Sequence, residues 1–164
     1  MVAKCLEDLF FDQLQIAFSS ENQLLVALAD MALAVSSNDL KASLELHLEE
    51  TKGQIERLHD VCNLIGCNPY SQRCEAMEAL VEEAEEAIDM VADAEVRDTA
   101  VMIAAAKIEH FEIALYTSLC MLARQLGLNE AADILNDSLE EETRTDLKLM
   151  ILAERQVHVQ MAGF

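Results

Sequence analysis

Residues 97–119 read RDTAVMIAAAKIEHFEIALYTSL. Advancing about 100° per residue from Glu112 places Val101, Ala105, Ile108, Leu115, Tyr116, Leu119 and Ala123 on its side of a helix. Glu112 therefore stands at the centre of an apolar stripe, and Glu109 lies one turn earlier towards its edge. A carboxylate in that position is costly unless it is paired, protonated or bound to metal. The spacing predicts a long helix over 96–126 with Gly127 at its end.

A second long helix of the same kind lies near the N-terminus. Over 4–35, Leu14, Ala17, Leu24, Leu25, Leu28 and Val35 fall within about 60° of Glu21, so Glu21 also centres a stripe. Ser36-Ser37-Asn38-Asp39 breaks this helix, and Ser37 or Asn38 can cap the next. That helix is expected over 40–65. Its stripe of Leu40, Leu44, Leu58, Val61 and Cys62 is interrupted by His47, Thr51 and Gln54, with Glu50 at the flank. Gly66 and Asn68-Pro69 supply its stop. A shorter amphipathic helix over 74–90 presents Met77, Leu80, Val81, Ala84 and Ile88. The last helix is expected over 130–157 with Asn129 as N-cap. Its stripe is read as Leu135, Leu139, Asp146, Met150 and Ala153, with Glu142 at the flank.

Two short links and one long connection define two antiparallel hairpins joined by a crossover that carries its own short helix. That is the connection pattern of ferritin-like four-helix bundles; an up-down-up-down bundle would use a short middle loop. The expected fold is all-α, with residues 1–164 forming one ferritin-like domain.

An internal repeat relates the halves. Leu48-Glu49-Glu50-Thr51 with Gln54 resembles Glu140-Glu141-Glu142-Thr143 with Asp146, and the segment from Glu21 to Leu28 resembles that from Glu112 to Leu119. On this alignment Glu21 pairs with Glu112, and Glu50 with Glu142. Four Glu residues converging from four helices is the arrangement of di-iron and di-manganese carboxylate proteins. Hard oxygen ligands with imidazole favour iron or manganese, with zinc as a competitor. No Lys or Arg lies on these inner faces. The usual Glu-x-x-His pair is missing, because Gly53 follows Glu50 and Thr145 follows Glu142 at that spacing. His47, Gln54, Asp146 and Glu109 are the residues available to complete a metal shell.

Blander readings stand beside this one. A single inward Glu is more often a satisfied buried acid than a ligand, whereas four at matched depth favour metal. His47 reads equally as a ligand or as a core histidine bonded to a carboxylate. Tyr116, one turn from Glu112, reads as core packing with its hydroxyl on a carboxylate. His59, His110 and His158 fall off the inner stripes.

Composition agrees with helices: the 164 residues include one Pro, four Gly and no Trp, while 52% are hydrophobic. The net charge of −20, without any Lys/Arg run, opposes binding to nucleic acid or anionic membrane. No apolar run reaches the length of a membrane span, and no basic region precedes the N-terminal apolar stretch, so no signal peptide and a cytoplasmic location are expected. The five cysteines show no zinc-site spacing. Cys62 and Cys120 read as buried small hydrophobes, while Cys62, Cys67 and Cys74 gather around one loop; all are expected as reduced thiols.

The segments SENQLLVAL (20–28), HLEETKGQIERL (47–58), RDTAVMIAAAKIEHFEIALYTSL (97–119) and LEEETRTDLKL (139–149) resemble the YciF-like proteins, a bacterial branch of the ferritin-like superfamily. The resemblance spans nearly the whole chain. It implies a ferritin-like fold, a cytosolic dimer and an association with stress response, but no defined reaction. Superfamily similarity implies a di-metal centre at Glu21, Glu50, Glu112 and Glu142, with Glu109 matching the extra third-helix carboxylate of rubrerythrin-like sites.

The expected function is metal binding in bacterial stress response, handling iron or peroxide at a site holding two iron ions. An external electron donor would be required, since rubredoxin-like Cys pairs are absent. The rival expectation is a non-enzymatic structural or interaction dimer whose core is held by structural metal or by protonated acids. A closed-shell iron store ranks third. The homodimer is expected from the resemblance together with a second apolar edge on the 40–65 helix at Leu46, Leu48 and Ile55.

Overall fold

The computed structural model describes residues 4–161, with side chains described through residue 155. The expectation for His158 lies outside the described side chains. The described residues form five α-helices: α1 (Leu6–Ala34), α2 (Asn38–Ile65), α3 (Glu75–Met90), α4 (Ala94–Gln125) and α5 (Asn129–Met161). A single 3-10 turn at Pro69–Ser71 separates α2 from α3. Among the described residues there is no strand, and no helix is long and apolar enough to cross a membrane.

Local chemistry sets the helix ends. Ser37 is the N-cap of α2, its hydroxyl accepting the Leu40 N–H at 3.3 Å. At the other end Gly66 adopts φ 73°, and the Cys67 N–H reaches back to the Cys62 carbonyl at 2.9 Å. This is a Schellman turn, which needs a residue tolerant of the left-handed region. Gly127 repeats the device at φ 73°, with the Leu128 N–H on the Ala123 carbonyl at 2.9 Å. That second turn reverses the chain so tightly that Asn129 already lies inside α5. The expected Asn129 cap is thus corrected; Leu128 supplies only its carbonyl, to the Ala132 N–H. Asp93 caps α4 by accepting from the Glu95 and Val96 N–H groups, which starts that helix two residues before the expected Val96.

Cross-links between helices give their relative directions. Gln15 on α1 donates to the carbonyl of Asn68, just beyond α2, so α1 and α2 run antiparallel. Tyr116 bonds Glu21, and Asp98 bonds Ser36 and Ser37, so α4 runs antiparallel to α1. Gln54 bonds Glu142 while Thr145 bonds Glu50, so α5 runs antiparallel to α2. Each long helix packs on two others, α1 on α2 and α4, α5 on α4 and α2; α3 lies against α1 and α4. Met77 and Ala84 are buried in that contact, with Leu80, Val81 and Ile88 packed behind them. Asp98 locks one end: its buried carboxylate accepts from the Ser36 N–H, the Ser36 hydroxyl and the Ser37 N–H, each at 2.8 Å.

The core has two apolar halves. One contains Leu24, Leu28, Met31, Leu40, Leu44, Val101, Ala105, Ile108 and Leu149. The other contains Phe10, Leu14, Ala17, Leu58, Val61, Leu115, Leu119, Ala131 and Leu135. Along every long helix the change from one half to the other occurs where buried polar residues appear: Glu21 on α1, His47 to Gln54 on α2, Glu109 and Glu112 on α4, and Ser138 to Glu142 on α5. A polar belt therefore crosses the middle of the molecule.

The α5 stripe differs from its sequence reading. Glu142 is 0% exposed and Met150 is 51% exposed. The buried line is Leu135, Ser138, Glu142, Thr145 and Leu149. Apolar residues at the true edge, such as Leu139 and Met150, had drawn the stripe about one residue too far round the helix. The burial pattern also corrects the repeat. An offset of 91 residues carries Glu21 onto Glu112 and carries Leu44, His47, Thr51, Gln54 and Leu58 onto Leu135, Ser138, Glu142, Thr145 and Leu149. In that register Glu142 is equivalent to Thr51, and Glu50 to Glu141, so the pairing of Glu50 with Glu142 is one residue out.

Candidate metal centre

Four buried side chains meet in the belt. His47 from α2, Glu109 and Glu112 from α4, and Glu142 from α5 each offer a ligand atom, and these atoms lie within 4.8 Å of one another. The His47 Nε2 is 3.4 Å from Glu109 Oε1, 3.7 Å from Glu112 Oε2 and 3.9 Å from Glu142 Oε2. Glu109 and Glu112 share a face because three residues make nearly one helical turn. Glu21 completes the belt from α1. Its Oε1 accepts the Tyr116 hydroxyl at 2.5 Å, and it lies within the field of Glu112 and Glu142.

The flanks are polar as well. Gln54 donates its amide to Glu142 and, at 3.2 Å, to Glu141. Arg57 pairs with Glu141 and donates to the Ser138 hydroxyl at 3.0 Å. Glu50 stays at the opposite flank, accepting from Thr145 Oγ1 at 3.3 Å and from Arg144 at 3.4 Å. Asp146 sits at the rim with its side chain 17% exposed, 3.3 Å from the Nδ1 of an exposed His110. The structure thus gathers Glu21, His47, Glu109, Glu112 and Glu142, and leaves Glu50 and Asp146 at the edges. Arg57, Glu141 and Ser138 are not singled out by the sequence reading; the 91-residue register, which makes Glu141 the counterpart of Glu50 and Ser138 that of His47, carries a signal for those two but none for Arg57.

Removal from water is the main electrostatic fact of the belt. Burial pushes the Glu112 carboxyl up to about 8. Burial and the neighbouring Glu112 charge push Glu142 up to about 8, although His47 and the Gln54 amide draw it back. Glu21 is raised well above the usual carboxylate range by burial, Glu112 and Glu142, with the Tyr116 hydroxyl opposing. Glu109 is raised well above it by burial and then by Glu142 and Glu112. The Tyr116 phenol is itself raised, by burial and by the Glu21 charge. Like charges crowded in a dry region disfavour one another's ionisation.

A divalent cation answers each of these conditions. Both ring nitrogens of His47, both oxygens of Glu112, and one oxygen each of Glu21, Glu109 and Glu142 are buried without a hydrogen-bond partner. Buried polar atoms are ordinarily satisfied, and a converging set of orphans calls for an explanation such as an ion. Carboxylate oxygens with one imidazole form a hard donor set, suited to iron or manganese and open to zinc. The residues present therefore fit a metal, and the group could hold one.

Comparison with known proteins agrees with this architecture. The family described as a domain of unknown function, DUF892, matches residues 5–162. Protein YciF of Escherichia coli strain K12 is 45% identical over 159 residues, 96% of each chain. The crystal structure of the E. coli stress protein YciF matches with a TM-score of 0.92, covering 95% of this chain and 99% of that one. The protein YcfI from Rhodopseudomonas palustris matches with a TM-score of 0.86 at 36% identity, covering 89% of this chain and 93% of that one.

Proposed function

Because the chain belongs to the DUF892 family of YciF-like proteins, we propose that it is a metal-binding protein of bacterial stress response, built as a ferritin-like four-helix bundle around a two-iron carboxylate centre. The carrying observation is the convergence of orphaned ligand atoms from His47, Glu109, Glu112 and Glu142 in the belt, with the free oxygen of Glu21 beside them. Four buried carboxylates match the formal charge of two divalent cations. Manganese and zinc compete for the same donors. Glu50 would join only by leaving Arg144 and Thr145; Asp146, whose buried Oδ1 has no hydrogen-bond partner and whose charge acts on Glu109, would join from the rim.

The chain's own residues prepare the site. Tyr116 holds one Glu21 oxygen and leaves the other free; Gln54 does the same for Glu142. The two apolar core halves keep bulk water from the belt. A redox-active metal bound there supplies one-electron chemistry towards oxygen or peroxide. Electrons would come from a separate donor protein, because the five cysteines contain no rubredoxin-like pairs.

The test is metal analysis of protein from its native host. Glu112→Ala and Glu142→Ala are expected to lose the metal; Glu50→Ala is expected to keep it, because Glu50 points to Arg144 and Thr145. Full metal content in both of the first two variants would overturn the reading. A second reading rests on the raised carboxyls: Glu112 and Glu142, ordinarily protonated below about 8, can hold the core with protons alone. The protein would then be a structural or interaction dimer, and native protein would contain no stoichiometric metal.

We extend the proposal to a homodimer. Of the expected edge, only Leu46 is exposed; Leu48 and Ile55 pack partly inward against the core halves. A better supported surface is one turn of α5, where Leu147, Met150 and Ile151 are all exposed and share a face at i, i+3 and i+4.

A further inference from the structure

The Schellman turn that ends α2 places two thiols together. Its two contacting positions, the third residue from the helix end and the residue after the left-handed glycine, are Cys62 and Cys67. Their sulfurs lie 3.3 Å apart and both are free thiols. The Cys67 N–H bond to the Cys62 carbonyl and the φ of 73° at Gly66 fix the approach from the backbone. A side chain from α1 braces the loop: Gln15 bonds the Asn68 carbonyl at 2.8 Å. Such turns favour an apolar contact at these two positions, and two further features set this one apart. Exposure is unequal: Cys62 is 1% exposed, while Cys67 is half-buried. Neither Cys74 nor Cys120, both buried, has another sulfur as a hydrogen-bond partner.

We propose that Cys62 and Cys67 are a dithiol modification site that a hydroperoxide oxidises to an intramolecular disulfide, with Cys67 as the attacking sulfur and Cys62 as the resolving one. Shared hydrogen bonding agrees with this division of roles: the Cys62 thiol holds Cys67 below the usual thiol range, whereas the same contact and burial raise Cys62. The thiolate is the nucleophilic form. In the first step the Cys67 thiolate attacks the terminal oxygen of the hydroperoxide. The O–O bond breaks, Cys67 is oxidised by two electrons to a sulfenic acid, and the released alkoxide or hydroxide takes a proton from solvent. In the second step Cys62 attacks the Cys67 sulfur. An S–S bond forms, the S–O bond breaks, and the hydroxyl leaves as water with the Cys62 proton. Two thiols and one hydroperoxide become one disulfide, one alcohol or water, and one water. The sulfurs need to close from 3.3 Å to about 2 Å. Neither residue belongs to the carboxylate group, so the site acts independently of the metal reading.

Trypsin tests this directly. Cleavage after Arg57 and Arg73 releases both sulfurs, and no other, in peptide 58–73. The intact protein is treated with equimolar hydrogen peroxide, remaining thiols are alkylated, and the digest is weighed. The expected product is peptide 58–73 unalkylated and two hydrogens lighter than its reduced form. Cys62→Ser is expected to stall with a Cys67 sulfenic acid trapped by dimedone. Cys67→Ser is expected to leave Cys62 as a thiol and to slow thiol loss on the order of tenfold. Circular dichroism verifies that both variants fold. Two alkylated cysteines in the wild-type peptide would overturn the proposal. So would a disulfide linking separate chains, or equal loss of the Cys62 thiol in Cys67→Ser.

Discussion

Removing metal from the protein should reveal the sign of the belt's electrostatics. Burial lifts Glu112 from 4.5 to about 8 in the folded chain, and Glu142 likewise. Below pH 4.5, folded and unfolded chains are both protonated at these positions and the folded state keeps its full stability. Between about 4.5 and about 8 the unfolded chain releases protons that the folded chain retains, so stability falls as pH rises. At about 1.4 kcal/mol per pH unit for each proton, one such carboxyl withdraws on the order of 5 kcal/mol by pH 8. The two titrate as a linked pair, so their losses do not simply add. Even one is a large share of the roughly 5–15 kcal/mol that holds a domain together. Manganous ion at a thousandfold excess over its Kd restores about 4 kcal/mol, and it binds best where the carboxylates are ionised. The assay is a set of melts by circular dichroism, from pH 5 to pH 8, on chelator-treated and manganese-loaded protein. The chelated form should lose Tm steadily with rising pH, and the loaded form should hold level. A chelated Tm that stays constant or climbs over that range would refute the electrostatic argument.

Asp98→Ala removes the acceptor of three 2.8 Å hydrogen bonds at a buried end of α4; urea titration should show a loss of roughly 2–4 kcal/mol, with metal content unchanged. Gly66→Ala meets no atom within 4 Å, so its cost is the backbone at φ 73° alone, about 1 kcal/mol, read as an earlier urea midpoint at unchanged slope. Leu147→Glu places a charge on the exposed turn of α5, and light scattering at micromolar concentration should report a monomer where the parent chain is a dimer; a monomeric parent would remove the α5 surface from consideration.

Glu21 and Glu112 were legible from sequence because apolar residues flank each on both sides of its stripe, so the loss of any one edge residue leaves the centre of the stripe where it is. His47, Thr51 and Gln54 were legible for a related reason: they interrupt a stripe whose two ends, Leu44 and Leu58, are unambiguous. On α5 the apolar residues are spread over two faces, since Leu147, Met150 and Ile151 are exposed. A stripe drawn through them drifts, which puts Glu142 at the flank and the repeat one residue out of register. Sequence similarity between acidic runs cannot fix a register, because Glu140, Glu141 and Glu142 are chemically identical; burial can. The tertiary roles of Asp98 and Arg57 were hidden for another reason. Both act between helices, and helical periodicity within one segment says nothing of what lies across the interface.

The polar belt also governs how the molecule opens. Its helices run unbroken through the middle, but the fully buried apolar packing does not: the buried side chains fall into two sets with a polar seam between them, spanned at the edge by the partly buried Ile16 and Phe111. Backbone continuity and side-chain cooperativity are therefore separated along the same helices. An ion in the seam would tie the halves into one cooperative unit, and its departure would let each end open by itself. Amide hydrogen exchange would register this as a single protection class splitting into two, with the division near Glu21, Thr51, Glu112 and Glu142.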